Sequence, residues 1–468
     1  MNIFCLMLSG LLALPSCNVQ GGAKLPTEDD NSNVRVYEYA PSVIPSTLYD
    51  VKVNEQWSFV LPTEEHHLTV FSCDGPVKVE VNPLAENISS ARVLPLSSEY
   101  DCKIVDGKVV FHMEPGERAV VEINGSEENN LFVFANPLDE PVPSSDQDII
   151  RVKEGTVVDL GTVSLKDGQT LLVEGGAVCK GAVKTVDASN VSVEGYGILD
   201  SRGVEARGIT FDKCSNVRID GVTLLNNVNW STFISQSSDV EISNYKVVAT
   251  ATEKNNGNEN DVLDILGCTD VSVKGCFGYC HDDVFCIKSH KWSYQGEVRN
   301  VVFDDCIAWN YLSGNSFVIG AELNQNVSNV TYRNCVSIHS AGATDPYPFF
   351  RGGVSIHNCA AGLVSDILFE NIVLEDCKEY GIYIDIRKSS YDIGTGVEYA
   401  PGTIDGVTLR NVAFLKNAKL GNMFSGYDDS EHKIRNLVLD NINIGDIKID
   451  ETNFISYFKS YRTDYIIK

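Results

Sequence analysis

Ser189-Asn190-Val191-Ser192-Val193 returns, with small changes, as Ser215-Asn216-Val217-Arg218-Ile219, Ser238-Asp239-Val240-Glu241-Ile242 and Thr269-Asp270-Val271-Ser272-Val273. The series continues in Arg299-Asn300-Val301-Val302-Phe303, Ser328-Asn329-Val330-Thr331-Tyr332, Ser365-Asp366-Ile367-Leu368-Phe369, Asp405-Gly406-Val407-Thr408-Leu409 and Arg435-Asn436-Leu437-Val438-Leu439. The apolar residue after each Asn, Asp or Gly recurs roughly every 23 to 40 residues, a period that marks a solenoid. Inward and outward side chains alternate within each run, so each run is a strand. Helix-period patterning is nearly absent. A coil of this kind buries its apolar face only by stacking on its neighbours. The fold predicted is all-β: a right-handed parallel β-helix over residues 146–468.

Upstream the pattern changes. Between residues 34 and 137, short alternating runs such as Trp57-Ser58-Phe59-Val60-Leu61 and Lys108-Val109-Val110-Phe111-His112 are separated by turn residues. That spacing predicts a small antiparallel β-sandwich. The stiff, Pro-rich stretch from Asn136 to Ser145 reads as the linker between the two units.

The solenoid explains most of the cysteines. Five residues after the anchor position stand Val222, Tyr245, Cys276, Cys306, Cys335, Ile372, Val412 and Ile442. Cysteine fills a slot that other coils give to aliphatics, which predicts buried thiols in an internal ladder. Cys73 and Cys102 are the one candidate disulfide. No CxxC or HExxH motif occurs, so no zinc site is implied, and no cofactor or metal is expected.

The chain of 468 residues carries 37 Lys and Arg against 64 Asp and Glu, a net charge of −27. A field of that sign repels phosphate backbones, which excludes general nucleic-acid binding. The first 22 residues end an apolar run in Leu14-Pro15-Ser16-Cys17 before a Gly-rich tether. This resembles a bacterial lipoprotein signal with Cys17 as the lipidated residue. The expectation is an exported periplasmic or cell-surface lipoprotein, a monomer whose only membrane contact is that anchor.

Two segments stand out from the repeat: Asn258-Glu259-Asn260-Asp261-Val262-Leu263-Asp264-Ile265 and His281-Asp282-Asp283-Val284-Phe285-Cys286-Ile287-Lys288-Ser289. Aligned by strand start, Asp261 falls over Asp283, about one coil away. Stacked strands lie about 4.8 Å apart, so the two carboxyls should project together with Asp282 beside them. Like charges held so near cannot all ionise normally, and one is pushed up. A carboxyl kept protonated near neutral pH is a general acid, and its ionised neighbours can activate water. Asp264 reads as a structural neighbour.

Together with Asn229-Trp230-Ser231-Thr232-Phe233, these segments resemble the polygalacturonase family, glycoside hydrolase family 28. That family shows a Trp-containing strand, then NTDGxD, then DDxxxxKS, in this order. A sandwich ahead of a β-helix also resembles the dextranase and isopullulanase group, family 49. The resemblance implies an O-glycosyl hydrolase of inverting mechanism acting on a polysaccharide or oligosaccharide. It implies Asp282 as general acid, Asp261 and Asp283 as the pair holding the water, and Lys288 near the site. The family's GHG motif falls on Gly314-Asn315-Ser316, so its His is Asn315 here. Its RIK motif falls on Ser355-Ile356-His357, and the Arg that forks onto a uronate carboxylate is missing.

Further candidates for sugar contact are Asn315, Glu322, Arg351, His357 and Trp230, with Arg387, Lys388 and the aromatics Trp292, Trp309, Tyr311, Tyr347, Phe349 and Phe350 nearby. The insertion from Ala341 to Arg351 is expected to wall one end of the groove. Two other functions stay open at this level: a polysaccharide lyase on the same solenoid, and a non-catalytic glycan-binding surface protein.

Overall fold

Asn and Asp head the repeats for a backbone reason. In a computed structural model, φ is positive at Asn190 (54°), Asn216 (50°), Asp239 (54°), Asp270 (59°), Asn300 (57°), Asn329 (52°), Asp366 (55°) and Asn436 (52°), and Gly406 (82°) takes the same role. The left-handed region costs most L-residues about 1–2 kcal/mol, and Asn, Asp and Gly tolerate it best. The turned residue is followed by the inward apolar one, such as Val191, Val301 or Ile367, each essentially shielded from solvent. The Asn amides also link coil to coil: Asn300 donates to Asp270 Oδ1 at 2.7 Å and Asn329 to Asn300 Oδ1 at 2.8 Å.

The structure describes residues 32–85, 87–143, 148–205, 207–226, 228–250, 259–340, 351–388 and 400–468. From Asp148–Val152 to Thr463–Ile467, 30 strands join in one continuous sheet. Strands pair in parallel with their equivalents one coil away, as Val191 does with Val217 and Val217 with Val240; the short strand Ile447–Lys448 alone among the described ones of this sheet folds back antiparallel. This is the expected parallel β-helix. Cys276, Cys306 and Cys335 are free, buried thiols stacked on one another's coils inside it. The proposed tether and Cys17 lie outside the described residues, as do residues 341–350 of the expected groove wall and its Tyr347, Phe349 and Phe350.

The N-terminal strands build two facing sheets. One runs in the order Gln56–Ser58, Tyr49–Val53, Val77–Pro83, Lys108–Met113, Lys103–Val105, all antiparallel. The other contains a parallel pair: Leu131–Pro137 runs alongside His67–Cys73. That direction delivers Asn136 against the β-helix, where its side-chain oxygen accepts from Asn244 Nδ2 at 3.0 Å and from Lys246 Nζ. Asn136 and Pro137 therefore complete a strand and are not part of a linker. Cys73 is also corrected: it is a free thiol at 0% exposure in the sandwich core, not half of a Cys73–Cys102 disulfide. Burial, with acidic neighbours, pushes its pKa up to about 12.

The sandwich lies along the β-helix over an aromatic seam. Phe132 packs on Phe277, Tyr279 and Trp309 with ring centroids 5.2, 5.7 and 6.0 Å away. Arg118 pairs with Asp305 at 2.9 Å across the same seam. Rings that bury this much area favour a fixed contact between the two units.

Candidate active site

The two acidic segments stack as adjacent coils. Leu263 registers with Phe285, and the Val262 amide donates to the Asp283 carbonyl at 2.9 Å, which puts Asp261 over Asp283. The next coil brings Asn315 onto Asp283: the Val284 amide donates to the Asn315 carbonyl at 2.8 Å. One coil earlier, the Ser231 amide donates to the Asp261 carbonyl at 2.6 Å, which places Trp230 beside Asp261.

Lys288 is the hub. Its ammonium lies 3.8 Å from Asp261, 3.6 Å from Asp264, 3.6 Å from Asp283 and 3.3 Å from Glu322. Asp264 belongs to this cluster and is fully buried, a place that sequence spacing does not give it. Glu322 also pairs with Lys291 at 2.7 Å. The carboxyl groups outnumber the ammonium groups here, so they cannot all be ionised.

The pKa values follow. Burial, then the neighbouring Asp283, raises Asp282 to about 8. Burial raises Asp264 to about 7 against the pull of Lys288. Burial with Asp264 and Asp282 pushes Asp261 well up. Glu322 goes the other way: Lys288 and Lys291 overcome its burial and hold it at about 2. Burial opposes the Lys288 charge, but the Cys286 sulfur and the carboxyls of Glu322, Asp264 and Asp283 keep it well above its ordinary value. Two acids of the cluster, Asp282 and Asp283, remain partly exposed, whereas Asp261 is 2% exposed. Asp261 Oδ1 has no hydrogen-bond donor among the described residues.

The surroundings fix the acids. Asp282 Oδ2 accepts from the Glu259 amide at 3.1 Å. Asp283 Oδ1 accepts from both the Asn315 amide, at 2.9 Å, and its side chain, at 2.8 Å. Gly314 packs on Asp282 so closely that a Cβ would stand 2.3 Å from the Asp282 carbonyl carbon, and its φ is +71°. His357 Nε2 approaches Asn315 Oδ1 at 3.4 Å, and its Nδ1 donates to Asp385 Oδ1 at 2.7 Å. Asp385 in turn pairs with Arg387, which donates to the Tyr383 hydroxyl at 2.7 Å. Arg351 precedes Gly352, the register partner of Asn315, and is buried against Glu379 at 3.2 Å.

Aromatic rings wall the earlier coils. Trp230 is only 5% exposed, with Lys288 and Lys291 over its ring at 5.1 and 5.4 Å. Its ring lies 5.3 Å from Trp292, which is 51% exposed and offers the open face. Trp309, by contrast, is buried in the seam with the sandwich. Arg207 joins this wall without a motif to announce it. Its guanidinium packs 4.3 Å from the Phe233 ring and 5.4 Å from each of Trp230 and Trp292. Carrying the coil register back from Asp261 through Trp230 by one further coil leads to it.

The sandwich also reaches the site. Glu65 Oε2 accepts from His281 Nε2 and from the Tyr279 hydroxyl, each at 2.8 Å. His281 immediately precedes Asp282, and its amide donates to Asn260 Oδ1 at 2.8 Å. No sequence signal marks Glu65, because its partner lies more than 200 residues away.

A β-helix with a carboxylate cluster on adjacent coils belongs to the class of carbohydrate-cleaving solenoids. Residues 152–460 match the model for glycosyl hydrolases family 28, and the chain belongs to that family; it is an O-glycosyl hydrolase. Endopolygalacturonase B of Emericella nidulans is 25% identical over 291 residues, 57% of this chain and 72% of the relative. Dex49A from Penicillium minioluteum shares the fold over 93% of this chain and 96% of its own, with a TM-score of 0.63 at 16% identity. The polygalacturonase from Erwinia carotovora ssp. carotovora matches 69% of this chain and 90% of its own, with a TM-score of 0.52 at 15% identity.

Proposed function

We propose that this hydrolase cleaves a polysaccharide or oligosaccharide with inversion at the anomeric carbon. Asp282 acts as general acid, and Asp261 and Asp283 hold the attacking water. The observation that carries this reading is the gathering of Asp261, Asp264, Asp283 and Glu322 on the single ammonium of Lys288. Beside it, burial and Asp283 favour a proton retained near neutral pH on Asp282, while the Lys288 ammonium favours negative charge on the carboxyls that would face the water. Asp261 Oδ1, without a protein donor among the described residues, is free to accept from a water.

The substrate need not be a galacturonan, although the relative from Emericella nidulans is named for that activity. Ser355 is fully buried where the family places its uronate-gripping Arg, and both the His357 ring and the Arg387 guanidinium already face Asp385. A sugar without a carboxylate at that subsite fits better, because an uncompensated anion there would meet Asp385. The N-terminal segment supports export as a lipoprotein held through Cys17, with the enzyme acting as a monomer at the cell surface or in the periplasm.

The test is the anomer first released, followed by proton NMR across pectic fragments, α-glucans and galactans. Inversion is expected. Retention would contradict the water-on-opposite-face mechanism, and a product absorbing in the ultraviolet through a new double bond would mark a lyase instead.

A further inference from the structure

The N-terminal sandwich holds a groove that no step of hydrolysis uses. It measures about 530 Å³ and is lined by Tyr39, Trp57, Phe59, Glu38, Asp50 and Ser46, among others. Volumes of this size suit small-molecule sites built from aromatic walls and a few polar groups. The rings of Tyr39 and Phe59 stack at 4.4 Å with 28° between their planes. Trp57 is 63% exposed, and the Lys52 ammonium sits 4.8 Å from its ring. Strand alternation explains the exposure. Val51 pairs with Ser58, and both point into the core, so Trp57, opposite Lys52, points outward.

Two carboxylates share this groove. The side chains of Glu38 and Asp50 form no ion pair or hydrogen bond among the described residues, although cations pair with other acids of the same sheet. The exposed indole, the stacked rings and two acceptors without a protein partner among the described residues give the groove an apolar platform with hydrogen-bonding groups at its edge.

We propose that this groove binds a strand of uncharged polysaccharide, separately from the catalytic cluster. A pyranose presents a C–H face that stacks on the rings and a rim of hydroxyls that donate to Glu38 and Asp50. The two acids and the net charge of −27 disfavour an anionic chain. The site would hold the polymer on the sandwich while the β-helix cleaves it. The proposal takes from the family only that the protein meets carbohydrate. It does not depend on which aspartate is the acid.

The experiment is depletion binding of the full-length protein on insoluble β-1,4-glucan, β-1,3-glucan, α-1,4-glucan and galactan, with polygalacturonate as the anionic arm. The parent should be retained by at least one neutral polymer. Trp57→Ala should weaken that retention about tenfold or more, as loss of an aromatic anchor does. Asp50→Asn should weaken it as well. Both variants should release reducing ends from soluble oligosaccharides at the parent rate and melt within about 2 °C of it. Neutral-polymer retention unchanged in Trp57→Ala would place the binding elsewhere and overturn the proposal. So would retention by polygalacturonate alone. Self-association abolished by Trp57→Ala, with no glycan retained, would assign the groove to a second copy of the chain and likewise reject it.

Discussion

Glu65 of the sandwich accepts a 2.8 Å hydrogen bond from Nε2 of His281, the residue next to Asp282. The contact ties the N-terminal unit to the loop that carries two of the three proposed catalytic carboxyls. Tyr279 donates to the same oxygen, and the Asn260 side chain takes the His281 amide, so the loop is held from several sides. A displacement of a catalytic group by about 1 Å can cost about a hundredfold in rate. Glu65→Ala should therefore lower kcat by about tenfold, because a buried donor left unsatisfied costs roughly 1–3 kcal/mol and the loop relaxes. KM should move little, and Glu65→Gln should recover part of the loss, since an amide oxygen can still accept. Steady-state kinetics of the two variants decide it. An equal fall in both variants, or a change confined to KM, would show that Glu65 does not position the acid.

Asp282→Asn should reduce turnover by at least about 10²–10⁴, the usual worth of a positioned proton donor. The pH profile gives an independent reading. An acid raised to about 8 is protonated at neutral pH and loses its proton above that value, so kcat/KM should fall as pH rises through about 8. Full activity in Asp282→Asn would reject the assignment.

The same shift has a consequence for stability. The folded-state pKa of Asp282 lies above the ordinary aspartate value, so between about pH 4 and pH 8 the folded state keeps a proton that the unfolded chain releases. Stability contributed by this group falls as pH rises through that window. Asparagine does not titrate. Asp282→Asn should therefore melt above the parent at pH 8, with the gap closing toward pH 4. Scanning calorimetry at the two pH values checks the sign, and a gap that widens in acid would refute it.

Gly314 offers a test of packing against the acid. Its φ is positive, and a Cβ there would come within 2.3 Å of the Asp282 backbone, so the position has no room for a side chain. Gly314→Ala should depress kcat more than it depresses Tm, because the displaced atoms are those of Asp282 itself. Loss of Tm with unchanged kcat in the folded fraction would show that the contact is structural alone.

How far the sequence reaches follows from what repeats in it. The left-handed Asn and Asp positions recur once per coil, so strands, register and the stacking of Asp261 on Asp283 can all be read from spacing. The buried cysteine slot is legible for the same reason. Spacing marks Asp264 only as a structural neighbour and hides its part in the cluster, where Lys288 from the next coil folds over it. Glu65 is invisible in the sequence, since it joins the site by tertiary contact without a repeating signal, whereas Asp385 meets His357 through the coil register itself. The motif makes Trp230 look like a sugar platform, but the structure buries it under Lys288 and Lys291 and exposes Trp292 instead.

His339 supplies the last prediction, at the seam between sandwich and β-helix. Its Nε2 donates to Glu122 Oε1 at 2.7 Å and its Nδ1 to Asp376 Oδ2 at 3.2 Å, with Glu127 at 3.9 Å. Both ring nitrogens face carboxylates, so both must carry protons and the ring is a cation. The geometry could suggest a metal site of Glu127, His339 and Asp376. Lys378 on Glu127 and Lys416 on Asp376 already supply the positive charge, which fits an ion-pair network better. Burial opposes the charge, but the hydrogen bonds to Asp376 and Glu122 raise the imidazole to about 9. A raised histidine stabilises fully below its unfolded value of about 6.5, and that contribution is lost as pH rises through about 9. His339→Asn should destabilise the protein by about 3 kcal/mol at pH 6, as breaking a buried charged pair does, and by less at pH 9.5, where the parent has itself lost the proton. Urea unfolding at the two pH values measures the gap; a gap of equal size at both would mean that the ring is neutral in the folded protein.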